Sequence, residues 1–113
     1  MGDPRIKPQW FQILLALAEG DLHGLGIRAA VLDQTDGRMQ LWPAMLYGSL
    51  KRMTEERLIE EREGPVEPEL EDERRRYYGI TGAGRRLLAA EVRRLERYVG
   101  LAQARQVLDG QKS

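Results

Sequence analysis

The sequence of 113 residues contains no cysteine and only one histidine, His23. Without cysteine there is no disulfide framework and no thiolate metal site, and one histidine supplies too few ligands to hold a metal ion. The chain also lacks a glycine-rich phosphate loop, and no serine or threonine stands beside a plausible general base. We therefore expect no metal, no cofactor and no enzymatic activity. We expect His23 to pack or to hydrogen-bond at the start of a helix.

Long hydrophobic runs are also missing. No apolar run approaches the ~18 residues that a transmembrane helix needs, and residues 1–10 lack the apolar centre of a signal peptide. Hydrophobic residues make up 42% and charged residues 32% of the chain, which is typical of one soluble domain. We expect a cytoplasmic protein with no membrane partner.

An excess of positive charge is missing as well, because 18 basic residues balance 18 acidic ones. Taken alone, this balance argues against a nucleic-acid-binding protein, whose usual signature is a basic domain. The charges are unevenly placed, however, since residues 55–73 hold ten acidic side chains against only Arg57 and Arg62. The remainder of the chain is therefore basic, and the distribution of charge matters more than its sum.

Apolar periodicity and turn signals predict four helices and a hairpin. The predicted helices span residues 8–18, 23–35, 43–56 and 82–108, and the predicted strands span 58–62 and 74–80. In the first helix the predicted inner stripe is Phe11, Leu14, Leu15 and Ala18. Thr81 is expected to cap the last helix. The order predicts a mainly α fold with a small β-hairpin: a winged helix-turn-helix domain over residues 1–80, then a C-terminal dimerisation helix and tail over 81–113, in one compact unit.

The last predicted helix carries an apolar seam with heptad-like spacing. Its positions are Leu88, Val92, Leu95, Val99, Ala102 and Gln106, of which only the last is polar. This is more apolar surface than so small a fold needs, and a second copy of the same helix is the simplest way to bury it. We therefore expect a homodimer with the apolar seam residues at its interface.

The third predicted helix has an unusual outer side. Opposite its core stripe lie Ala44, Gly48, Lys51 and Glu55, with Met45 and Arg52 at the edges and Tyr47 at the shoulder. Small residues allow close approach of the backbone, while Lys51 and Arg52 can pair with phosphates and Tyr47 can donate its hydroxyl. A helix inserted in the DNA major groove needs this combination. The alternative is that Gly48 packs against a neighbouring helix and that Tyr47 is a core aromatic.

Three stretches together resemble the PadR family of transcriptional regulators. The family pattern Gly-x-x-His-Gly-Tyr-x-Ile is seen as GDLHGLGI at residues 20–27. The pattern Pro-x-x-Leu-Tyr-x-x-Leu-Lys-Arg-Leu is seen as PAMLYGSLKRM at 43–53, and Arg-Arg-x-Tyr-x-Leu-Thr-x-x-Gly as RRYYGITGAG at 75–84. The resemblance covers about residues 10–108, and a single long C-terminal helix is similar to the short subgroup of the family.

The resemblance implies a homodimeric, ligand-responsive repressor. Its last helix would pack on the partner's last and first helices, which adds Trp10 and Phe11 to the expected interface. Its third helix would bind the major groove of a near-palindromic operator. The DNA contacts implied are Ala44, Met45, Tyr47, Gly48, Lys51 and Arg52, and from the wing strand Arg74, Arg75 and Arg76. The runner-up interpretation is a winged-helix module for protein–protein association that binds no DNA.

Several positions depart from the family pattern or remain open. Met45 replaces the usual Thr or Ser, so the base preference is expected to differ. Arg57 replaces a helix-ending glycine, so either Arg57 is left-handed or the helix ends differently. A pocket for a small aromatic or hydrophobic effector is expected around Trp10, Trp42, Leu95 and Tyr98, with core packing as the alternative for both tryptophans.

The acidic loop of residues 63–73 conflicts with a wing that touches DNA. We expect its tip to swing away from the groove, so that residues 74–76 face the phosphates; an unstructured loop is equally compatible with its composition. Deletion of residues 66–72 is expected to leave DNA affinity equal or higher.

Overall fold

The computed structural model describes residues 6–65 and 76–108, and it follows the predicted order with one addition. Its helices are α1 (Pro8–Leu17), α2 (Gly24–Gln34), α3 (Pro43–Glu55) and α4 (Gly82–Ala104); its strands are β1 (Leu22–His23), β2 (Ile59–Arg62) and β3 (Tyr77–Ile80). The mainly α fold with a β-hairpin and a long last helix is confirmed. Within the described residues, no helix is long and apolar enough to cross a membrane.

The addition is a third strand. The sheet is antiparallel with the order β1-β3-β2, and Leu22 pairs with Tyr78 while Ile59 pairs with Ile80. The prediction of a two-stranded sheet was therefore incomplete. Arg62 ties the sheet to the turn before β1, because its guanidinium donates to Asp21 at 3.1 Å, to Glu60 at 2.7 Å and to the carbonyl of Ile80 at 3.1 Å. The hydrogen bond to Glu60 does most to raise the pKa of Arg62.

The inner face of α1 differs from the predicted stripe. The buried residues of the helix are Trp10, Ile13, Leu14, Ala16 and Leu17, whereas Leu15 is 38% exposed and Phe11 and Ala18 are half-buried. The predicted stripe was rotated by about one residue, because apolar side chains occupy both sides of this short helix. As a result, Trp10 lies in the core of the protomer, with the Lys7 ammonium 5.4 Å from its ring centre.

The core lies where the first three helices meet the sheet. Its fully buried members are Ile13, Leu14, Leu17, Ile27, Val31, Leu41, Leu46, Leu50, Met53 and Ile59. Tyr78 and Ile80 of β3 and Leu88 of α4 complete the cluster. This arrangement, three helices and a small sheet with a long helix attached, is a winged helix-turn-helix fold, as predicted.

The beginning of α4 is fixed tightly to this core. The Thr81 hydroxyl accepts a hydrogen bond from the amide of Gly84 at 3.0 Å, which confirms the predicted cap. Gly84 is so close to β2 that a Cβ atom there would overlap the carbonyl oxygen of Leu58. Leu88 is only 8% exposed, so it packs within its own protomer rather than on an open seam. The helix ends at Ala104, four residues before the predicted end, and Gln106 is left-handed with φ 64°.

Candidate nucleic-acid interface

Helix α3 begins and ends almost where the sequence predicts. Pro43 stands at its first position, where a missing N–H is no loss. At its end Arg57 has φ 61°, and the amides of Arg57 and Leu58 bond back to the carbonyls of Thr54 and Met53 at 2.9 Å each. This is a Schellman ending with arginine in the place of glycine, at a cost of about 1 kcal/mol for the left-handed backbone. Of the two alternatives for Arg57, the structure adopts the left-handed one.

The outer face of α3 is open to solvent. The exposed positions include Ala44, Met45, Gly48, Lys51, Arg52 and Glu55. We call the first five of these the α3 outer face. A Cβ atom added at Gly48 would meet no atom within 4 Å, so the alternative that this glycine packs against a neighbouring helix is wrong. The helix is held from its other side by Leu46, Ser49, Leu50 and Met53, which are all buried.

Tyr47 does not fit the expectation for a DNA-contacting hydroxyl. The ring is half-buried against the core, and its hydroxyl is buried without a hydrogen-bond partner among the described residues. The same hydroxyl lies against Gly24, where a Cβ atom would come within 2.7 Å of it. The alternative that Tyr47 is a packing residue of the domain fits this geometry, and the prediction of a donated hydrogen bond to DNA does not.

The two cations of the α3 outer face are paired weakly along their own helix. The Lys51 ammonium is 3.7 Å from the Glu55 carboxylate, and the Arg52 guanidinium is 3.7 Å from that of Glu56. Both cations keep more than half of their side-chain surface exposed. Exposed pairs of this kind contribute about 0–1 kcal/mol, so both side chains can exchange a carboxylate for a phosphate.

Apart from Arg62, which is held by Asp21 and Glu60, the wing (the β2–β3 hairpin) contributes one described cation. Arg76 precedes β3, and its guanidinium lies 3.4 Å from the Glu61 carboxylate on β2. Arg74 and Arg75 lie outside the described residues, as does most of the acidic loop. Arg76 also hydrogen-bonds to the hydroxyl of Tyr78, and burial, followed by the charge of Glu61, raises the pKa of that tyrosine. The Tyr78 hydroxyl therefore stays protonated at neutral pH.

A cleft of about 370 Å³ separates the wing from α3. Its lining residues are Tyr47, Leu50, Lys51, Thr54, Glu55, Glu61, Arg76 and Tyr78. The cleft places Lys51 of the α3 outer face and Arg76 of the wing at the same opening, so one extended polyanion can reach both.

Arg28 and Trp42 form a pair that the sequence analysis missed. Trp42, immediately before α3, is 59% exposed, and the Arg28 guanidinium on α2 lies 5.4 Å from its ring centre. The Nε of Arg28 is buried without a hydrogen-bond partner in the described part of the chain. The spacing of these residues in the sequence gives no signal of this contact, because it depends on how α2 crosses α3.

The residues expected to line an effector pocket have very different surroundings. Trp10 is in the core and 8% exposed, whereas Trp42, Leu95 and Tyr98 are 59%, 39% and 49% exposed. A second cleft, of about 690 Å³, runs along α1 and α2 past Leu15 and Ala30. None of the four expected residues lines either cleft.

His23 has the structural role that the sequence analysis expected. It is the N-cap of α2, and its Nδ1 accepts a hydrogen bond from the amide of Gly26 at 2.9 Å. Its ring stands edge-on to that of Tyr77, with 5.4 Å between the ring centres. His23 therefore joins the start of α2 to the sheet.

Comparisons with known proteins agree with this architecture. The sequence model of the transcriptional regulator PadR-like family matches residues 13–90. A curated relative, the uncharacterized 37.1 kDa protein in transposon TN4556 of Streptomyces fradiae, is 40% identical over 88 residues. Those residues are 78% of this chain but only 23% of the relative, so the chain spans about a quarter of that protein.

Two solved structures illustrate the structural likeness. A transcriptional regulator from Clostridium thermocellum, Cth-833, is 25% identical with a TM-score of 0.65, covering 84% of this chain and 89% of its own. Bacillus subtilis PadR in complex with operator DNA is 23% identical with a TM-score of 0.64, covering 76% of this chain and 47% of its own.

Proposed function

This chain belongs to the PadR-like family of transcriptional regulators, and on that premise we propose that it is a cytoplasmic, ligand-responsive repressor that binds a near-palindromic operator as a homodimer. The observation that carries the proposal is the α3 outer face, which joins two exposed cations to a glycine with open space around it. A helix that enters the major groove needs both close approach of its backbone and cations at its edge. The solved complex of Bacillus subtilis PadR with operator DNA supports this assignment.

The homodimer is supported by the far part of α4. Beyond Leu88 the helix exposes Val92, Leu95 and Val99, which are 38%, 39% and 48% exposed. Their spacing repeats a heptad, so two copies related by a twofold axis can pack the same face against each other. Phe11 and Leu15 on α1 are the further apolar residues available to a partner helix, whereas Trp10 is not. Such a dimer would set two α3 helices about one DNA turn apart.

The proposed dimer also offers a route for a response to a ligand. An effector bound between the two α4 helices, beside Leu95 and Tyr98, would change the separation of the α3 helices and hence the affinity for DNA. The buried position of Trp10 removes it from this proposed site. A screen of small aromatic and hydrophobic compounds that changes neither Trp42 fluorescence nor DNA affinity would contradict an effector site.

The test of DNA binding is the double substitution Lys51→Ala, Arg52→Ala. A dimer loses four phosphate-pairing cations, so DNA affinity should fall by about a hundredfold or more and the log–log salt slope by about 3 to 4. The matched control is Arg93→Ala, Arg97→Ala, which removes the same charge from exposed positions of α4 opposite the seam. Titrations of fluorescent duplexes at several salt concentrations measure both quantities, and light scattering checks that the dimer survives.

Equal affinity losses in the two variants would show that net charge, and not the α3 outer face, governs binding. If the unsubstituted protein is a dimer and binds no duplex even at low salt, the alternative holds: a winged-helix module for protein–protein association.

A further inference from the structure

The cleft between α3 and the wing carries an unusual set of charges. Its opening holds two cations, Lys51 and Arg76, and two carboxylates, Glu55 and Glu61. Each cation faces one carboxylate, at 3.7 Å for Lys51–Glu55 and 3.4 Å for Arg76–Glu61. The cleft is therefore close to neutral, although it lies where the proposed function requires attraction for DNA.

Both pairs are easy to open. All four side chains keep more than half of their surface exposed, and such pairs are weak. A phosphate, which accepts strong charge-assisted hydrogen bonds, can take the place of either carboxylate. Tyr78 lines the same cleft, and its hydroxyl lies beside Arg76.

The carboxylates of Glu55 and Glu61 remain near the cleft when a phosphate displaces them. Glu55 is one helical turn from Lys51 on α3, and Glu61 stands on β2 opposite Tyr78 of β3. Both backbones are fixed by the core, so each carboxylate stays near a phosphate bound in the cleft. Like charges that lie within a Debye length of each other, about 10 Å at 0.1 M salt, still repel.

We propose that this cleft is a binding site for one DNA backbone phosphate, and that Glu55 and Glu61 compete with this phosphate for Lys51 and Arg76. The inference rests on the proposed function and deepens it by adding two residues that set affinity. Because phosphates are the same in every sequence, the two carboxylates weaken binding to all DNA equally. Their effect is to lower the affinity for DNA without changing the preference for one sequence over another.

The test is the double substitution Glu55→Gln, Glu61→Gln, which keeps side-chain size while removing both carboxylate charges. Two carboxylates per protomer make four per dimer. Each costs up to about threefold in affinity in water and less once salt screens the charges, so a random-sequence duplex should bind about tenfold more tightly. The control is Glu19→Gln, Glu96→Gln, which removes the same charge from exposed residues away from the cleft. Its affinity for DNA should stay within about twofold of that of the unsubstituted protein.

A second readout separates the cleft from a general charge effect. In a Lys51→Ala, Arg76→Ala background, adding Glu55→Gln and Glu61→Gln should raise DNA affinity much less than it does in the unsubstituted protein, because the carboxylates compete for those two cations. If the Glu55→Gln, Glu61→Gln variant gains affinity by the same factor for a random duplex and for a selected operator, the result supports a phosphate-binding site. A gain confined to the operator would overturn it, because that pattern belongs to base contacts.

The failure of this inference differs from the failure of the proposed function. If the unsubstituted protein binds duplex DNA and the Glu55→Gln, Glu61→Gln variant binds it equally well, the carboxylates do not compete and only the inference is overturned. An equal gain in the Glu19→Gln, Glu96→Gln control overturns the inference as well. If neither the unsubstituted protein nor the variant binds DNA, both are overturned.

Discussion

Helices α3 and α4 each leave one face uncovered, and the two faces differ in every property that matters for recognition. The α3 outer face combines Ala44, Met45 and two cations around an open Gly48. The open face of α4 is built of large aliphatic side chains, Val92, Leu95 and Val99. The first face suits a charged, hydrated groove that demands close approach, and the second suits an apolar surface like itself.

The two parts of α4 also differ in how they are held. Its first two turns are locked by Thr81, Gly84 and Leu88 into the core, whereas the rest of the helix extends beyond the core. The elongated shape of the protomer, 52 by 34 by 23 Å, agrees with such an extension. One helix thus joins the proposed DNA-binding unit to the proposed dimer contact without a flexible linker.

The largest expected effect comes from placing charge on the open face of α4. The substitutions Leu95→Glu and Val99→Glu should convert the proposed dimer to monomer at micromolar concentration, because dimerisation would then bury four carboxylates in an apolar seam. Each protomer should stay folded, since both positions are already exposed within it. The matched control is Ala90→Glu on the opposite side of α4. Light scattering measures the mass, and an unchanged dimer in the double variant would contradict the account.

A smaller effect is expected at the locked end of α4. Gly84→Ala should destabilise the domain by about 1–3 kcal/mol, because the new methyl overlaps the Leu58 carbonyl and crowds Ile80. For a domain of this size, the midpoint of thermal unfolding should fall by about 4 °C or more. Circular dichroism on heating provides the measurement. Equal or higher stability would show that α4 does not sit this close to β2.

Sequence reasoning succeeded where one local signal decides the outcome. Pro43 and the core stripe placed α3 to within one residue of its observed end, and Thr81 fixed the start of α4. It failed where the local structure depends on contacts with distant parts of the chain. Strand β1 is two residues long and exists only through its pairing with β3, which lies far along the chain.

The candidate site shows the same division. Helical periodicity alone predicted that the α3 outer face is exposed. It could not predict the direction of the Tyr47 hydroxyl, because that direction depends on the closeness of Gly24 on another helix. In α1, apolar residues on both sides gave periodicity no way to choose the inner face, so the predicted inner stripe left out Trp10, which is buried.

Glycine substitutions on the two helices give a further contrast. Gly48→Ala and Gly100→Ala should each stabilise the protein by about 0.5–1 kcal/mol, because both glycines are helical and have nothing within 4 Å of an added Cβ. Only Gly48→Ala should weaken DNA binding, by about tenfold, which is within the range of one lost base contact. Thermal unfolding and duplex titration measure the two effects. If both variants bind DNA equally well, DNA binding does not require close approach of the backbone at Gly48.

The smallest expected effect concerns an ion pair beside the seam of α4. The hydrogen bonds from Arg94, at 2.6 and 3.0 Å, lower the pKa of Glu91. A lowered carboxyl pKa contributes stability above the ordinary pKa of the group, and this contribution is lost as the pH falls through the folded value. Glu91→Gln should therefore cost up to about 0.5 kcal/mol at pH 7. This difference in the free energy of unfolding should shrink as the pH is lowered from 7 to below the ordinary carboxyl pKa of 4.5.

The control for the ion pair is Glu96→Gln on the same helix, which should change stability by less at either pH. A Glu91→Gln effect that persists unchanged at low pH would mean that packing, and not the charge of Glu91, is responsible.

The most direct test of the account is a selection of binding sites from random duplex DNA with the full chain, followed by a salt titration on the selected sequence. The account predicts a near-palindromic site with half-sites about one helical turn apart, bound with an affinity that falls steeply as salt rises. Selection of no sequence, together with no binding at low salt, would contradict the assignment of the α3 outer face to DNA.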